Sequence, residues 1–151
     1  MKTFSTTTLS ALLISLLFLG CSESGSLSGL SKCEGTVSHN GNLLADAVLT
    51  FHPDGSGQRA ASAVTDANGK FVVTTLKSGD GITPGGYKVT ITKYEDYGDL
   101  PPMEKNEDGG EYQPPRARKN ILPKKYESSA TSGLTASISK GKETLSFELA
   151  D

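Results

Sequence analysis

From residue 34 onward, apolar side chains recur at every second position, and residues that break regular structure interrupt them at short intervals. A period of two predicts strands with one face buried, and no stretch carries the 3.6-residue period of a long helix. Residues 34–39 (EGTVSH) read as a first strand, closed by Asn40-Gly41, a pair that tolerates positive φ and forms two-residue hairpin turns. Residues 46–51 (DAVLTF) put Ala47, Leu49 and Phe51 on one face before Pro53-Asp54-Gly55-Ser56-Gly57 breaks the chain. Residues 60–65 (AASAVT) and 70–75 (KFVVTT) flank Asp66-Ala67-Asn68-Gly69, which predicts a second hairpin with Gly69 left-handed and the Asp66 carboxylate capping backbone N–H groups. Residues 87–92 (YKVTIT) alternate most regularly, with Tyr87, Val89 and Ile91 inside and Lys88, Thr90 and Thr92 outside. Leu134, Ala136 and Ile138 then alternate with polar residues, and Gly141 turns the chain into Leu145, Phe147 and Leu149. The expected fold is all-β: a seven-stranded Greek-key sandwich of the immunoglobulin-like size class, with Phe51, Phe71, Val89, Ile91 and Phe147 inside.

The first twenty residues follow another rule. Lys2 precedes an eleven-residue apolar run, residues 9–19 (LSALLISLLFL), too short to cross a bilayer core of ~30 Å. It reads as a signal-peptide core. The run ends in Leu17-Phe18-Leu19-Gly20-Cys21, which resembles the lipobox of bacterial lipoproteins, with Phe18 where leucine is usual. That resemblance implies cleavage before Cys21 and its acylation, hence a membrane partner through an N-terminal lipid anchor. The Ser/Gly-rich stretch that follows makes residues 21–32 a flexible tether to a domain at 33–151. The expected location is the cell envelope, outside the cytoplasm, and Ser22, which is not an inner-membrane retention aspartate, favours the outer membrane or periplasm.

Composition narrows the possibilities. Removing twenty residues leaves 131, one domain, whose apolar fraction falls from 35% to about 32% because eleven apolar residues go with the leader. A thin two-layer core fits this, and a large α/β enzyme core does not. The formal net charge of −2 gives no general attraction to nucleic acid.

Between residues 95 and 126 the alternation stops, for longer than the ~12–15 residues usual for a connection without regular structure. Five of the seven prolines lie there (Pro101, Pro102, Pro114, Pro115, Pro123), acidic residues crowd its first part, and Arg116, Arg118, Lys119, Lys124 and Lys125 its last. One reading is a solvated excursion whose halves neutralise each other. The other is a recognition loop on a rigid scaffold, with those five cations forming a positive patch at one end of the domain and Tyr97 and Tyr112 offering aromatic surface. Ile121, Leu122 and Tyr126 are expected to pack back on a sheet edge.

Candidate chemistry is sparse. With Cys21 lipidated, Cys33 has no disulfide mate, and without a neighbouring His or a CxxC pattern it reads as an inert strand residue. His39 and His52 sit at strand ends without zinc-ligand spacing, and a calcium loop starting at Asp66 would need glutamate where Lys77 stands. The expectation is no catalytic residues, no metal and no cofactor.

Three stretches together point to a family: Gly35-Thr36-Val37 with residues 41–51 (GNLLADAVLTF), residues 65–71 (TDANGKF), and residues 84–91 (PGGYKVTI). Their order and spacing resemble the carboxypeptidase regulatory-like domain over about residues 34–94. The chain departs from the family's pattern at Leu43-Leu44, at Asp46 where glycine is usual, and at Asn68 where aspartate is usual. The resemblance implies a transthyretin-like sandwich without catalytic activity, which accompanies other proteins or binds at the envelope. The expected function is a non-enzymatic envelope lipoprotein whose sandwich mediates protein–protein contact or structural packing, with a carbohydrate-binding module for envelope polysaccharide as the alternative.

Overall fold

The computed structural model describes residues 28–151, so the leader, Cys21 and most of the expected tether lie outside the described residues. The chain forms β1 (Lys32–His39), β2 (Asn42–Leu43), β3 (Val48–Pro53), β4 (Ala61–Val64), β5 (Lys70–Val72), β6 (Gly85–Thr92), β7 (Tyr94–Tyr97), β8 (Glu104–Lys105), β9 (Glu111–Tyr112), β10 (Ala117–Asn120), β11 (Leu134–Ile138) and β12 (Lys142–Leu149). Among the described residues one 3-10 turn forms, Lys124–Glu127, ahead of β11. One sheet has the order β11-β6-β3-β4, antiparallel throughout. In the other, β1 pairs in parallel with β12 and antiparallel with β5 and β2.

The seven expected strands all form and pack as a sandwich, but the count of seven is too low. Five further strands exist among the described residues: β2 and the four short strands of the 95–126 excursion. The buried faces are those the alternation marked. Phe51 lies at the centre, with the rings of Phe71, Tyr87 and Phe147 at 6.3–6.5 Å between centroids. Phe71 and Phe147 stack at 6.1 Å, closing an aromatic cluster that spans both sheets.

Local chemistry explains the turns. Asn40 (φ 50°) and Gly41 (φ 79°) are both left-handed, as a two-residue hairpin between β1 and β2 requires. Asp46 also takes a positive φ, 53°, at the position where the resembled family has glycine, and aspartate is among the few side chains that tolerate it. In the 66–69 turn the Asp66 carboxylate accepts from the backbone N–H groups of Asn68 (2.8 Å) and Lys70 (2.9 Å). The expected second hairpin is incomplete, however. β4 stays with β3 and β5 with β1, and between them only the Ser62–Thr74 bridge and the bond from Asp66 N–H to the Lys70 carbonyl form. The chain passes from one sheet to the other at this corner.

Two further corrections concern position. Thr90, expected outside, is buried, and the His52 ring reaches across from β3 to meet its hydroxyl at 3.0 Å. The sandwich also begins earlier than residue 33: Ser31 exchanges backbone bonds with Ile82, and its hydroxyl donates to the Ser139 carbonyl at 2.7 Å.

The loop after β5 is tied by Asp80, whose carboxylate accepts from the N–H groups of Thr75 (2.7 Å), Lys77 (2.9 Å) and Leu76 (3.0 Å). Partial burial pushes its pKa upward, but these backbone bonds outweigh it and hold the group below the ordinary aspartate range. Its contribution is therefore complete above the unfolded value of ~3.9 and is lost as pH falls through the lower folded value. Asp80→Asn is expected to lower the melting temperature at neutral pH. That deficit should shrink as the melts are repeated at acid pH, where the wild type loses the same charge.

The two ends of the sandwich differ. β1 starts at Lys32, beside Gly141 and near Ile82. Its far end bonds through Val37 to Gly69, in the turn after Val64, and Val64, Val48 and Thr92 lie in register across β4, β3 and β6. Thus β6 leaves the sandwich at the end opposite to where the chain comes in.

Candidate functional site

After Thr92, a single residue, Lys93, leads into β7, which among the described residues pairs only with β10. These two strands form the stem of an arm beyond the last rung of the sandwich, and β8 and β9 form its tip. The four-residue rungs of the stem alone extend ~13 Å. The root is fixed by Asn120: its Oδ1 accepts from the N–H groups of Lys93 (3.0 Å) and Leu122 (3.2 Å), and its Nδ2 donates to Glu127 at 2.7 Å. Nothing in the sequence distinguished Asn120 from other loop asparagines.

The stem pairs the acidic half of the excursion with the basic half. Arg118 lies opposite Asp96 and meets its carboxylate at 3.2 Å, while Lys119 lies opposite Glu95, which is also 3.4 Å from Lys93. Directly opposed residues share a face. Tyr94, Asp96, Arg118 and Asn120 therefore occupy one face, and Glu95, Tyr97, Ala117 and Lys119 the other.

The expected single positive patch is thus divided. Arg116 and Arg118 line one side of the arm, Lys119 and Tyr97 the opposite side, and Tyr112 belongs to the tip, where its hydroxyl donates to Glu104 at 2.7 Å. That bond raises the pKa of the phenol above its ordinary value. Lys124 and Lys125 stand apart on the 3-10 turn, with the Lys125 ammonium 5.0 Å from the centre of the Tyr126 ring. Leu122 and Tyr126 pack back as expected, and the Tyr126 hydroxyl bonds both the N–H and the carbonyl of Ala150 at 3.0 Å. Ile121 does not: it is exposed.

Between stem and tip the ladder opens. The rungs stop at Tyr97–Ala117 and resume at Glu104–Tyr112, and the intervening limbs hold Pro101, Pro102, Pro114 and Pro115, which have no N–H to donate. The Gln113 side-chain amide donates to the Pro101 carbonyl and ties the two limbs together. The opening is a cleft of about 470 Å³ lined by Asp96, Leu100, Gln113, Pro114, Pro115, Arg116 and Arg118. Leu100 and Met103 are more than half exposed beside it, and the exposed Tyr94, Tyr97 and Tyr112 follow along the arm. Leu100 and Met103 stand outside the sequence pattern, although two apolar residues flanking Pro-Pro in a charged stretch are a visible signal.

Among the described residues, the cysteine is buried and both histidines have partners. Cys33 is buried in β1, and burial, with Glu143 and Glu34 adding to it, pushes its thiol up to about 11, away from the reactive thiolate. The Asp151 carboxylate accepts from Asn40 (2.9 Å) and lies 3.0 Å from His39 Nε2; the Asn40 bond and then the His39 contact lower its pKa. Among the described residues, no three His, Cys, Asp or Glu side chains converge as a metal site would require.

No protein-family model matches the chain, and no curated protein does. Among solved structures it is similar to a DUF3823 family protein from Parabacteroides merdae, with 16% identity and a TM-score of 0.37, covering 78% of this chain and 44% of that one. It is similar also to a 9R-lipoxygenase from Cyanothece, with 11% identity and a TM-score of 0.35, covering 97% of this chain and 18% of that one. The chain spans less than half the length of either protein. Likenesses this distant carry no statement about function.

Proposed function

We propose that this protein is a non-catalytic lipoprotein of the cell envelope, anchored through Cys21, whose carboxypeptidase regulatory-like sandwich is a rigid stand that presents the β7–β10 arm to a protein partner. The observation that carries the reading is the opposition of the two ends. The chain enters beside Ser31, and the arm leaves about one eight-residue strand away, ~26 Å, at the far end. A domain tethered at Cys21 would hold the arm pointing away from the membrane.

The order and spacing of the turn and strand motifs support the family reading, and the lipobox-like LFLGC supports the anchor. The arm supports the binding role, because it exposes Tyr97, Leu100, Met103 and Tyr112 while contributing little to the core. Those tyrosines also favour the alternative, a carbohydrate-binding module. Retention of the protein on envelope polysaccharide, with elution by millimolar sugar, would favour that alternative over a protein partner.

The anchor is tested by labelling cells with a fatty-acid analogue. The wild-type protein is expected to take up label and to fractionate with membranes, and Cys21→Ser to do neither. Equal labelling of both would contradict the lipoprotein reading.

A further inference from the structure

The opening in the arm has a cause in the chain, its four prolines, and a composition that selects a ligand. Three apolar residues, Leu100, Pro114 and Pro115, line it together with two arginines, one aspartate and Gln113. Arg118 meets Asp96 through Nε, and a guanidinium carries five donors, so one carboxylate does not exhaust it. Arg116 is in no ion pair among the described residues. The cleft therefore carries a net positive charge on an acidic protein, beside apolar walls whose prolines are already fixed in shape and lose little freedom on binding. Its volume lies within the ~300–1,000 Å³ range of small-ligand sites.

From this geometry we infer that the cleft receives a carboxylate-bearing peptide segment of the protein partner. Arg116 and Arg118 take the carboxylate, and Leu100, Pro114 and Pro115 take the apolar residue beside it. The inference rests on the reading of the arm as the recognition element, and it names what that element recognises. Arginine suits the role because its planar fork matches a carboxylate with two parallel hydrogen bonds. An acidic polysaccharide fits less well, because no tyrosine lines the cleft to stack on a sugar ring.

The test is a titration of the full chain in detergent micelles, labelled on arginine and leucine, followed by NMR. The probes are acetyl-leucyl-glutamate amide, its glutamine counterpart, and galacturonic acid. The glutamate peptide is expected to shift the Arg116 and Arg118 Nε–H signals and the Leu100 methyls, with a Kd on the order of 1 mM. The glutamine peptide should bind at least ~10-fold more weakly, and Arg116→Gln with Arg118→Gln should remove the response without changing the melting temperature. Equal shifts from both peptides, no shift at ~10 mM, or shifts from galacturonic acid alone would overturn the inference. A double Arg→Gln chain that still crosslinks its cellular partner, when a chain lacking the arm does not, would overturn the cleft and leave the reading of the arm intact.

Discussion

Phe51→Ala and Phe71→Ala are each expected to cost about 3–5 kcal/mol, a large share of the ~5–15 kcal/mol that holds a domain of this size. Phe51 is fully buried and its ring meets three other aromatic rings from both sheets, so truncation leaves a cavity where β3, β5, β6 and β12 converge. Close packing gives neighbouring rings little freedom to collapse into the space. Chemical denaturation of the two variants, with Tyr97→Ala on the exposed arm as control, reads the difference directly. Loss-free melts for the phenylalanine variants would mean that the sheets do not pack through these rings.

Gly35→Val is expected to cost roughly 3 kcal/mol, by overpacking instead of by a cavity. Gly35 sits in β1 between β5 and β12, paired with Phe71 on one side and Leu145 on the other. A Cβ there would lie 2.7 Å from Phe71 Cζ and would run into the Leu145 carbonyl. The latter is backbone held in the β1–β12 ladder, so it cannot give way as a flexible side chain could. Gly86→Ala is the control, because nothing lies within 4 Å of the Cβ it would add. A melting temperature reduced sharply for Gly35→Val and little changed for Gly86→Ala is the predicted result.

What the sequence disclosed, and what it hid, follows from burial. Strands with one buried face write their period into the chain, which is why Ala47-Leu49-Phe51 and Tyr87-Val89-Ile91 were legible to the residue. β7 to β10 are exposed almost throughout, so nothing imposed alternation on them, and residues such as Glu95-Asp96 and Arg118-Lys119 read as charge runs. Thr90 followed the period but not the environment, since only the register of β3 against β6 brings His52 over it. The cations of the candidate site were legible by composition. Their division between two faces was not, because it depends on Arg118 pairing with Asp96 across a ladder of short, exposed strands that no burial pattern announces.

The most direct test of the account is to replace residues 97–119 by a short Gly/Ser linker and measure both thermal melting and partner capture by crosslinking in intact cells. The arm buries few apolar groups, so the sandwich should melt close to the wild-type temperature. A single dominant protein adduct, present with the wild type, should disappear from the variant. An arm-less chain that still captures the same partner in full, or one that no longer folds, would contradict the account.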